Sequence, residues 1–153
     1  MSNEVLKMSP DELFEFARRE VGDGRELLVA VAGTSMLPYL YPGRDSVLLA
    51  APPGGAFRRD VVPGQIVLAK TDAGVVLHRV MECRGDRVVL MGDHNLCRRE
   101  TCAISEVAAV VVAVERDGRY RRPSPARLWR ALLPARRILL ALWRGGFQPP
   151  ASL

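Results

Sequence analysis

Cysteine is scarce in this sequence, and its number is odd. Cys83, Cys97 and Cys102 are the three cysteines in 153 residues. Small disulfide-stabilised domains carry a dense and even set of cysteines, so this pattern excludes a disulfide framework as the basis of the fold. We therefore expect free thiols, as in proteins of a reducing compartment such as the cytoplasm.

The sequence also has no long hydrophobic run. The longest apolar stretch without a charge, Val107–Val114, has the length of a buried strand and falls well short of the ~18 residues that span a bilayer. The first segment, residues 1–21, lacks the basic start and apolar core of a secretory signal. We therefore expect a cytoplasmic protein without a membrane-spanning helix.

Acidic residues are missing from the end of the chain. From Arg121 onward there are seven arginines and no aspartate or glutamate, whereas the first 120 residues contain fifteen basic and seventeen acidic residues. The net charge of +5 therefore belongs to the tail. This distribution argues against a nucleic-acid partner bound across the whole domain, and it favours an electrostatic contact made by one end of the chain.

The pattern of the remaining residues predicts a short helix followed by many strands. Ser9-Pro10-Asp11-Glu12 is typical of a helix start, with a capping serine, a proline at the first helical position and a capping-box glutamate, and Gly22 ends the helix. Short apolar or alternating runs bounded by turn residues then predict a mainly β fold. The predicted strands are Glu26–Ala32, Asp45–Ala50, Gln65–Lys70, Val75–Cys83, Arg87–Met91 and Glu106–Glu115. The predicted units are an N-terminal helix and lead-in (1–25), a β-rich domain (26–118), a basic helical tail (119–146) and a flexible end (147–153).

The tail has the pattern of an amphipathic helix. Ser124-Pro125 is typical of a helix start, and a helical period places leucines and Trp143 on one face of Arg127–Arg144 and most of its arginines on the other. Pro134 is expected to kink or restart this helix. Two interpretations stay open, because both require an amphipathic helix. The helix either lies peripherally in a membrane interface or packs against its own domain.

The strongest local signal for chemistry lies in residues 33–43. Here an apolar strand runs into glycine, then Thr34-Ser35-Met36, and then Pro38, which stiffens the chain. A serine just past a strand end presents its hydroxyl and its backbone N–H together, and an acyl-transfer nucleophile needs both. Ser35 is therefore the candidate nucleophile, and Thr34, Met36 and Pro38 are the candidate oxyanion and substrate-binding residues.

A serine hydroxyl needs a neighbouring base, and the chain contains few candidates. There are only two histidines and two lysines. His78, inside a predicted strand, is the preferred base, although a histidine on an apolar strand face is more often a core residue. Lys70, at a strand end where lysines are normally solvated, and His94, in a turn, are the alternatives.

Asp93 is the candidate acid partner of the base. It follows a predicted strand in the sequence Gly-Asp-His-Asn, and its carboxylate would accept a hydrogen bond from the distal nitrogen of His78. An Asx-turn would also suit these residues. Both interpretations stay open at this point.

A metal site is the weaker interpretation of the same region. His94, Cys97 and Cys102 occur close together in the sequence. Zinc sites prefer closer cysteine pairs and more ligands than this cluster supplies. We therefore expect neither a metal nor another cofactor.

Four motifs, in their order and spacing, resemble the signal peptidase I superfamily, which also contains the self-cleaving, LexA-like SOS and phage repressors. They are Ser35-Met36-Leu37-Pro38, Gly64-Gln65-Ile66-Val67, His78-Arg79-Val80 and Gly92-Asp93-His94-Asn95. The resemblance covers about Val29–Val114. Bacterial members carry a lysine where this chain has His78, whereas archaeal and endoplasmic-reticulum members carry a histidine, so the chain resembles the histidine branch.

The resemblance implies a signal-peptidase/LexA-like fold of antiparallel sheets, here with an N-terminal helix and a C-terminal amphipathic basic helix. It also implies a serine endopeptidase that cleaves leader or signal peptides, bound in an extended conformation, with a Ser35/His78 dyad. The alternative is a catalytically inactive peptidase-fold module that binds a peptide, a membrane surface or an anionic partner. A self-cleaving repressor is a weaker alternative, because the sequence shows no DNA-binding half.

The sequence also departs from the family pattern. Gln65 replaces an aspartate, and no N-terminal membrane anchor is expected. Arg98 and Arg99 stand where relatives have acids, with Glu100 just beyond. The acid partner of His78 therefore stays open between Asp93 and Glu100.

Overall fold

The computed structural model describes residues 7–95, 98–132, 134–135 and 138. The helices are α1 (Pro10–Gly22), α2 (Phe57–Asp60) and α3 (Arg127–Ala131), with a 3-10 turn at Ile104–Glu106. The strands are β1 (Leu27–Ala30), β2 (Asp45–Ala50), β3 (Ile66–Thr71), β4 (Gly74–Arg84), β5 (Arg87–Met91), β6 (Glu100–Ala103), β7 (Val107–Arg116) and β8 (Arg119–Arg121). The mainly β fold predicted from the sequence is confirmed. Cys97, half of the predicted tail helix Arg127–Arg144 and the end segment 147–153 lie outside the described residues.

Helix α1 begins as the sequence predicts. The Ser9 hydroxyl accepts a hydrogen bond from the Glu12 N–H at 3.2 Å, and the Glu12 carboxylate accepts one from the Ser9 N–H at 2.8 Å. This capping box satisfies two amide groups that a helix end leaves without intrahelical partners. Phe14, Ala17 and Val21 are buried, so the apolar face of α1 packs against the sheet.

The strands form one antiparallel sheet in the order β1-β2-β7-β3-β4-β5-β6, with β8 also pairing β7. Side chains alternate between two buried clusters, as the pleat of a strand requires. On β3, Ile66 and Leu68 join the cluster that contains α1, whereas Val67 and Ala69 join the second cluster. Both faces of the central strands are therefore buried, which makes a charged residue there costly unless it is paired.

Two strands were not predicted. Strand β6 is only four residues long and contributes one fully buried residue, Cys102, and strand β8 is wholly exposed. Both are held by pairing with a longer neighbour, β6 along β5 and β8 along β7. Neither therefore carries the apolar alternation from which the other strands were predicted.

A buried ion pair fixes the loop between β1 and β2. The Asp45 carboxylate accepts hydrogen bonds from Arg116 at 2.6 and 3.1 Å, from Arg44 at 3.0 and 2.9 Å, and from the Tyr41 N–H at 2.9 Å. Burial alone would raise the pKa of Asp45, but these donors outweigh burial and hold the pKa well below its ordinary value. Arg116 also donates to the Tyr39 carbonyl at 3.2 Å, so the loop is tied to β7.

The C-terminal helix starts later than predicted. Helix α3 begins at Arg127, and the residue before it, Ala126, is left-handed with φ 50°. Ser124 instead accepts a hydrogen bond from the Ala126 N–H at 3.2 Å, so Ser124-Pro125 belongs to the approach to the helix and not to its first turn. Across the described residues, no helix is both long enough and apolar enough to cross a membrane.

Candidate active site

Ser35 lies in a tight turn between β1 and β2. The Leu37 N–H donates to the Thr34 carbonyl at 3.2 Å, and the Leu40 N–H donates to the Met36 carbonyl at 3.0 Å. Met36 and Leu40 are buried in the cluster that contains α1, whereas Ser35 is half-buried. The turn is therefore anchored in the core behind Ser35 and leaves the serine near the surface.

The same turn contains the other residues of the first motif. Thr34 and Pro38 are exposed on either side of Ser35, and the Leu37–Pro38 peptide bond is cis. Met36 is buried, so its side chain belongs to the core and not to an open substrate surface. Of the three residues predicted to border the oxyanion or the substrate, only Thr34 and Pro38 have accessible side chains.

His78 lies in β4, opposite Val67 of β3, and is 4% exposed. Its Nδ1 atom is 2.5 Å from Oε2 of Glu100, the first residue of β6. A carboxylate can only accept, so this contact places the ring proton of the neutral histidine on Nδ1 and leaves Nε2 as the acceptor. An acceptor nitrogen that is oriented by a carboxylate is what a general base requires.

Gly92 brings Ser35 and His78 together. A Cβ atom placed on Gly92 would lie 2.5 Å from the Ser35 carbonyl oxygen and 3.2 Å from His78 Nε2. The turn that follows Gly92 also contacts the serine segment, since the His94 N–H donates to the same Ser35 carbonyl at 3.0 Å. Nε2 of His78 and the backbone carbonyl of Ser35, 43 positions apart in the chain, therefore both lie close to Gly92.

Asp93 forms a buried ion pair with Arg79. Its carboxylate accepts two hydrogen bonds from Arg79, each 2.7 Å long, and both side chains are almost fully buried. Of the two acids left open by the sequence, Glu100 is the one whose contact with His78 Nδ1 the structure shows. Asp93 joins the turn after β5 to strand β4.

Arg79 is the residue whose importance the sequence analysis missed. Besides Asp93, its guanidinium donates to the carbonyls of Gly64 at 2.7 Å and Ser124 at 2.8 Å, and it lies 5.4 Å from the centre of the Tyr39 ring. It therefore links four separate segments of the chain, among them the turn that contains Ser35. The motif His78-Arg79-Val80 contained the signal, because an arginine in an apolar strand with both faces buried must be paired.

A groove of about 450 Å³ opens beside these residues. Pro38, Tyr39 and Asp93 line the groove, together with Leu128 and Leu132 of the C-terminal segment. The groove is therefore bordered by Pro38 and Tyr39 of the turn that contains Ser35, and by Asp93 of the turn after β5.

The alternative bases lie elsewhere or make other contacts. Lys70 is exposed at the end of β3 and pairs with Asp11 of α1 at 3.4 Å. His94 is half-buried, and its backbone N–H is the group that reaches Ser35. The structure therefore brings the imidazole of His78 to the serine segment through Nε2, and it gives Lys70 a partner on the surface.

The structure places no metal cluster within the residues it describes. No group of three or more His, Cys, Asp or Glu side chains suited to a metal ion occurs there, and Cys97 lies outside them. Cys102 is buried, and burial raises the pKa of its thiol to about 11. A thiol with that pKa stays protonated at neutral pH, so Cys102 is a poor ligand and a poor nucleophile.

Gly92→Ala tests whether close approach at this position supports the site. Because its Cβ would lie 2.5 Å from the Ser35 carbonyl oxygen, the serine turn must shift, and we expect peptidase activity to fall by about 10²-fold. Gly22→Ala is the matched control, since no atom lies within 4 Å of its Cβ. Equal activities of the two variants on a leader peptide would show that the contact does not position the serine.

Comparison with known proteins gives no independent assignment. No family model matches this chain, and no curated protein matches it.

Proposed function

We propose that this protein is a serine endopeptidase of the signal-peptidase type, with Ser35 as nucleophile, His78 as general base and Glu100 as the acid that orients it. The observation that carries the proposal is the position of the imidazole. His78 Nδ1 contacts the Glu100 carboxylate, and His78 Nε2 lies 3.2 Å from the position that a Cβ atom on Gly92 would take. The Ser35 carbonyl oxygen lies 2.5 Å from the same position. A serine is activated when an acid orients the base and the base accepts the hydroxyl proton, and these contacts support that role for Glu100 and His78 beside Ser35.

The proposed reaction proceeds in two steps. His78 Nε2 takes the proton of the Ser35 hydroxyl as its oxygen attacks the carbonyl carbon of the scissile bond. The N–H of Ser35, assisted by the Thr34 hydroxyl, stabilises the oxyanion. Collapse of the tetrahedral intermediate breaks the C–N bond, and the protonated imidazole gives its proton to the leaving amine. Water, deprotonated by the same nitrogen, then hydrolyses the ester, and Ser35 is restored.

The proposed substrate is a leader or signal peptide in an extended conformation, with small residues before the cut. This preference follows from the family resemblance. The groove beside Pro38 supports an elongated substrate, because a peptide in it would pass along the nucleophile turn. We propose that Pro38 contacts the substrate directly and that buried Met36 supports the turn from behind.

Active-site labelling tests the proposal. We expect a fluorophosphonate probe to modify the wild-type protein once, at Ser35, because only an activated serine reacts rapidly with it. Ser35→Ala should abolish labelling, whereas Ser124→Ala, which changes an exposed serine near the groove, should leave it intact. Tandem mass spectrometry of the modified peptide identifies the site.

The same experiment distinguishes the alternative function. A peptidase fold that only binds peptides or anionic partners would not react with the probe, even at long incubation times. The substitutions in the family motifs, among them Gln65 in place of aspartate, are the observations that favour this alternative. An unlabelled but folded wild-type protein would therefore exclude the peptidase and leave the binding module.

A further inference from the structure

The C-terminal segment presents apolar side chains to solvent. Leu128 is 72% exposed and Leu132 is 40% exposed, one helical turn apart at the start of the tail. A helix that packed its leucines against its own sheet would bury them. In the described part of the tail these two side chains remain accessible, which favours an external partner over the protein's own sheet.

The same segment is strongly basic. Arg121, Arg122 and Arg127 are exposed, and no acidic residue occurs from Arg121 to the end of the sequence. Exposed leucines next to arginines are complementary to a surface that is both apolar and negatively charged. An anionic lipid bilayer has both properties, because its acyl chains accept leucine and its headgroups attract arginine. A nucleic acid or an acidic protein surface offers the charge but gives the leucines less to bind.

We propose that the segment 121–132 is a peripheral docking surface for anionic membranes. We define this docking surface by Arg121, Arg122, Arg127, Leu128 and Leu132. Binding would place the leucines at the headgroup boundary and the arginines among the lipid phosphates. The proposal concerns a contact of the folded protein and does not depend on the peptidase activity.

The docking surface is fastened to the candidate active site. The Ser124 N–H donates to the Tyr39 hydroxyl at 2.8 Å, and the Ser124 carbonyl accepts from Arg79 at 2.8 Å. Further along, an Nη atom of Arg130 lies 3.2 Å from the Cβ position of Gly64. These contacts hold the start of the tail against Tyr39, Arg79 and Gly64, so membrane docking would also fix the orientation of the groove.

The consequence is that the groove lies at the membrane surface. Leu128 and Leu132 belong to the docking surface and also line the groove. A precursor that emerges from or lies along the bilayer would therefore enter the groove from the side on which the protein is docked. This arrangement supplies membrane proximity without a spanning helix among the described residues.

Vesicle sedimentation of the full-length protein tests the docking surface. We expect the wild type to bind vesicles of phosphatidylcholine and phosphatidylglycerol, and to bind pure phosphatidylcholine vesicles at least about tenfold more weakly. Arg122→Glu combined with Arg127→Glu should lower the partition coefficient by tenfold or more. Leu128→Asp should also lower it, because the apolar contribution is lost. Circular dichroism verifies that each variant is folded.

The control variant changes charge elsewhere by the same amount. Arg58→Glu combined with Arg84→Glu alters two exposed arginines outside the docking surface. If vesicle binding depends on charge at the docking surface, this variant should bind vesicles within about twofold of wild type. An equal loss in the control would overturn the proposal in favour of a non-specific effect of net charge. Undiminished binding by Leu128→Asp would overturn it in favour of a purely electrostatic contact. Unchanged vesicle binding with a raised KM for peptide would assign the leucines to substrate instead.

Discussion

Replacing His78 by alanine is expected to lower kcat/KM for a leader peptide by about four orders of magnitude. A Cβ atom on Gly92 would lie 3.2 Å from His78 Nε2 and 2.5 Å from the Ser35 carbonyl oxygen, so both residues lie close to Gly92. Without the imidazole, the serine hydroxyl has no group to accept its proton. The measurement is the initial rate of peptide cleavage, followed by chromatography at neutral pH.

The matched controls are the other candidate bases. His94→Ala removes a second imidazole while keeping the backbone N–H that contacts Ser35, and Lys70→Ala removes a surface ion pair with Asp11. Both variants should retain most of the activity. A large loss in Lys70→Ala with a nearly normal His78→Ala would instead identify a Ser/Lys dyad. Because residues of one catalytic unit are not additive, Ser35→Ala with His78→Ala should be no worse than either alone.

Local sequence patterns were enough to predict the first helix and most strands. The capping box of α1 was predicted because Ser9 and Glu12 interact within one turn, and no distant residue decides their contact. The long strands β4 and β7 were predicted because they bury apolar side chains. Val76 and Val80 of β4 lie at the same buried cluster, because alternation along a strand depends only on the sequence.

The acid of the site could not be chosen by the same reasoning. The sequence makes Asp93 a candidate because it follows a strand in a recognisable motif, whereas Glu100 begins a strand that the sequence does not predict. Glu100 reaches His78 because β6 pairs with β5, and β5 pairs with β4. Such a contact depends on the register of two strand pairings, which local propensity does not determine.

The position of Arg79 shows a second limit of sequence patterns. A charged residue in a strand is usually placed on an exposed face, yet Arg79 is fully buried opposite Ile66. Its partners come from the turn at Asp93, from Gly64 and from Ser124, and they meet only in the folded chain. Residues that violate the local rule in this way are expected near functional sites.

Arg79→Met is expected to lower the free energy of unfolding by about 3–5 kcal/mol, because breaking a buried ion pair from one side leaves the other charge in a poor environment. The variant removes both 2.7 Å hydrogen bonds to Asp93 and the donors to the carbonyls of Gly64 and Ser124. Urea unfolding followed by circular dichroism measures the change. Arg84→Met, which breaks an exposed pair with Glu82, is the matched control and should change stability little.

A double variant tests whether the loss of stability in Arg79→Met comes from the charge left unpaired on Asp93. Asp93→Leu combined with Arg79→Met removes both charges together, so the double variant should be more stable than Arg79→Met alone. The Gly64 and Ser124 carbonyls still lose their donor, and for that reason the recovery should be partial. If Arg79→Met unfolded at the same urea concentration as the wild type, the guanidinium would not hold these segments together.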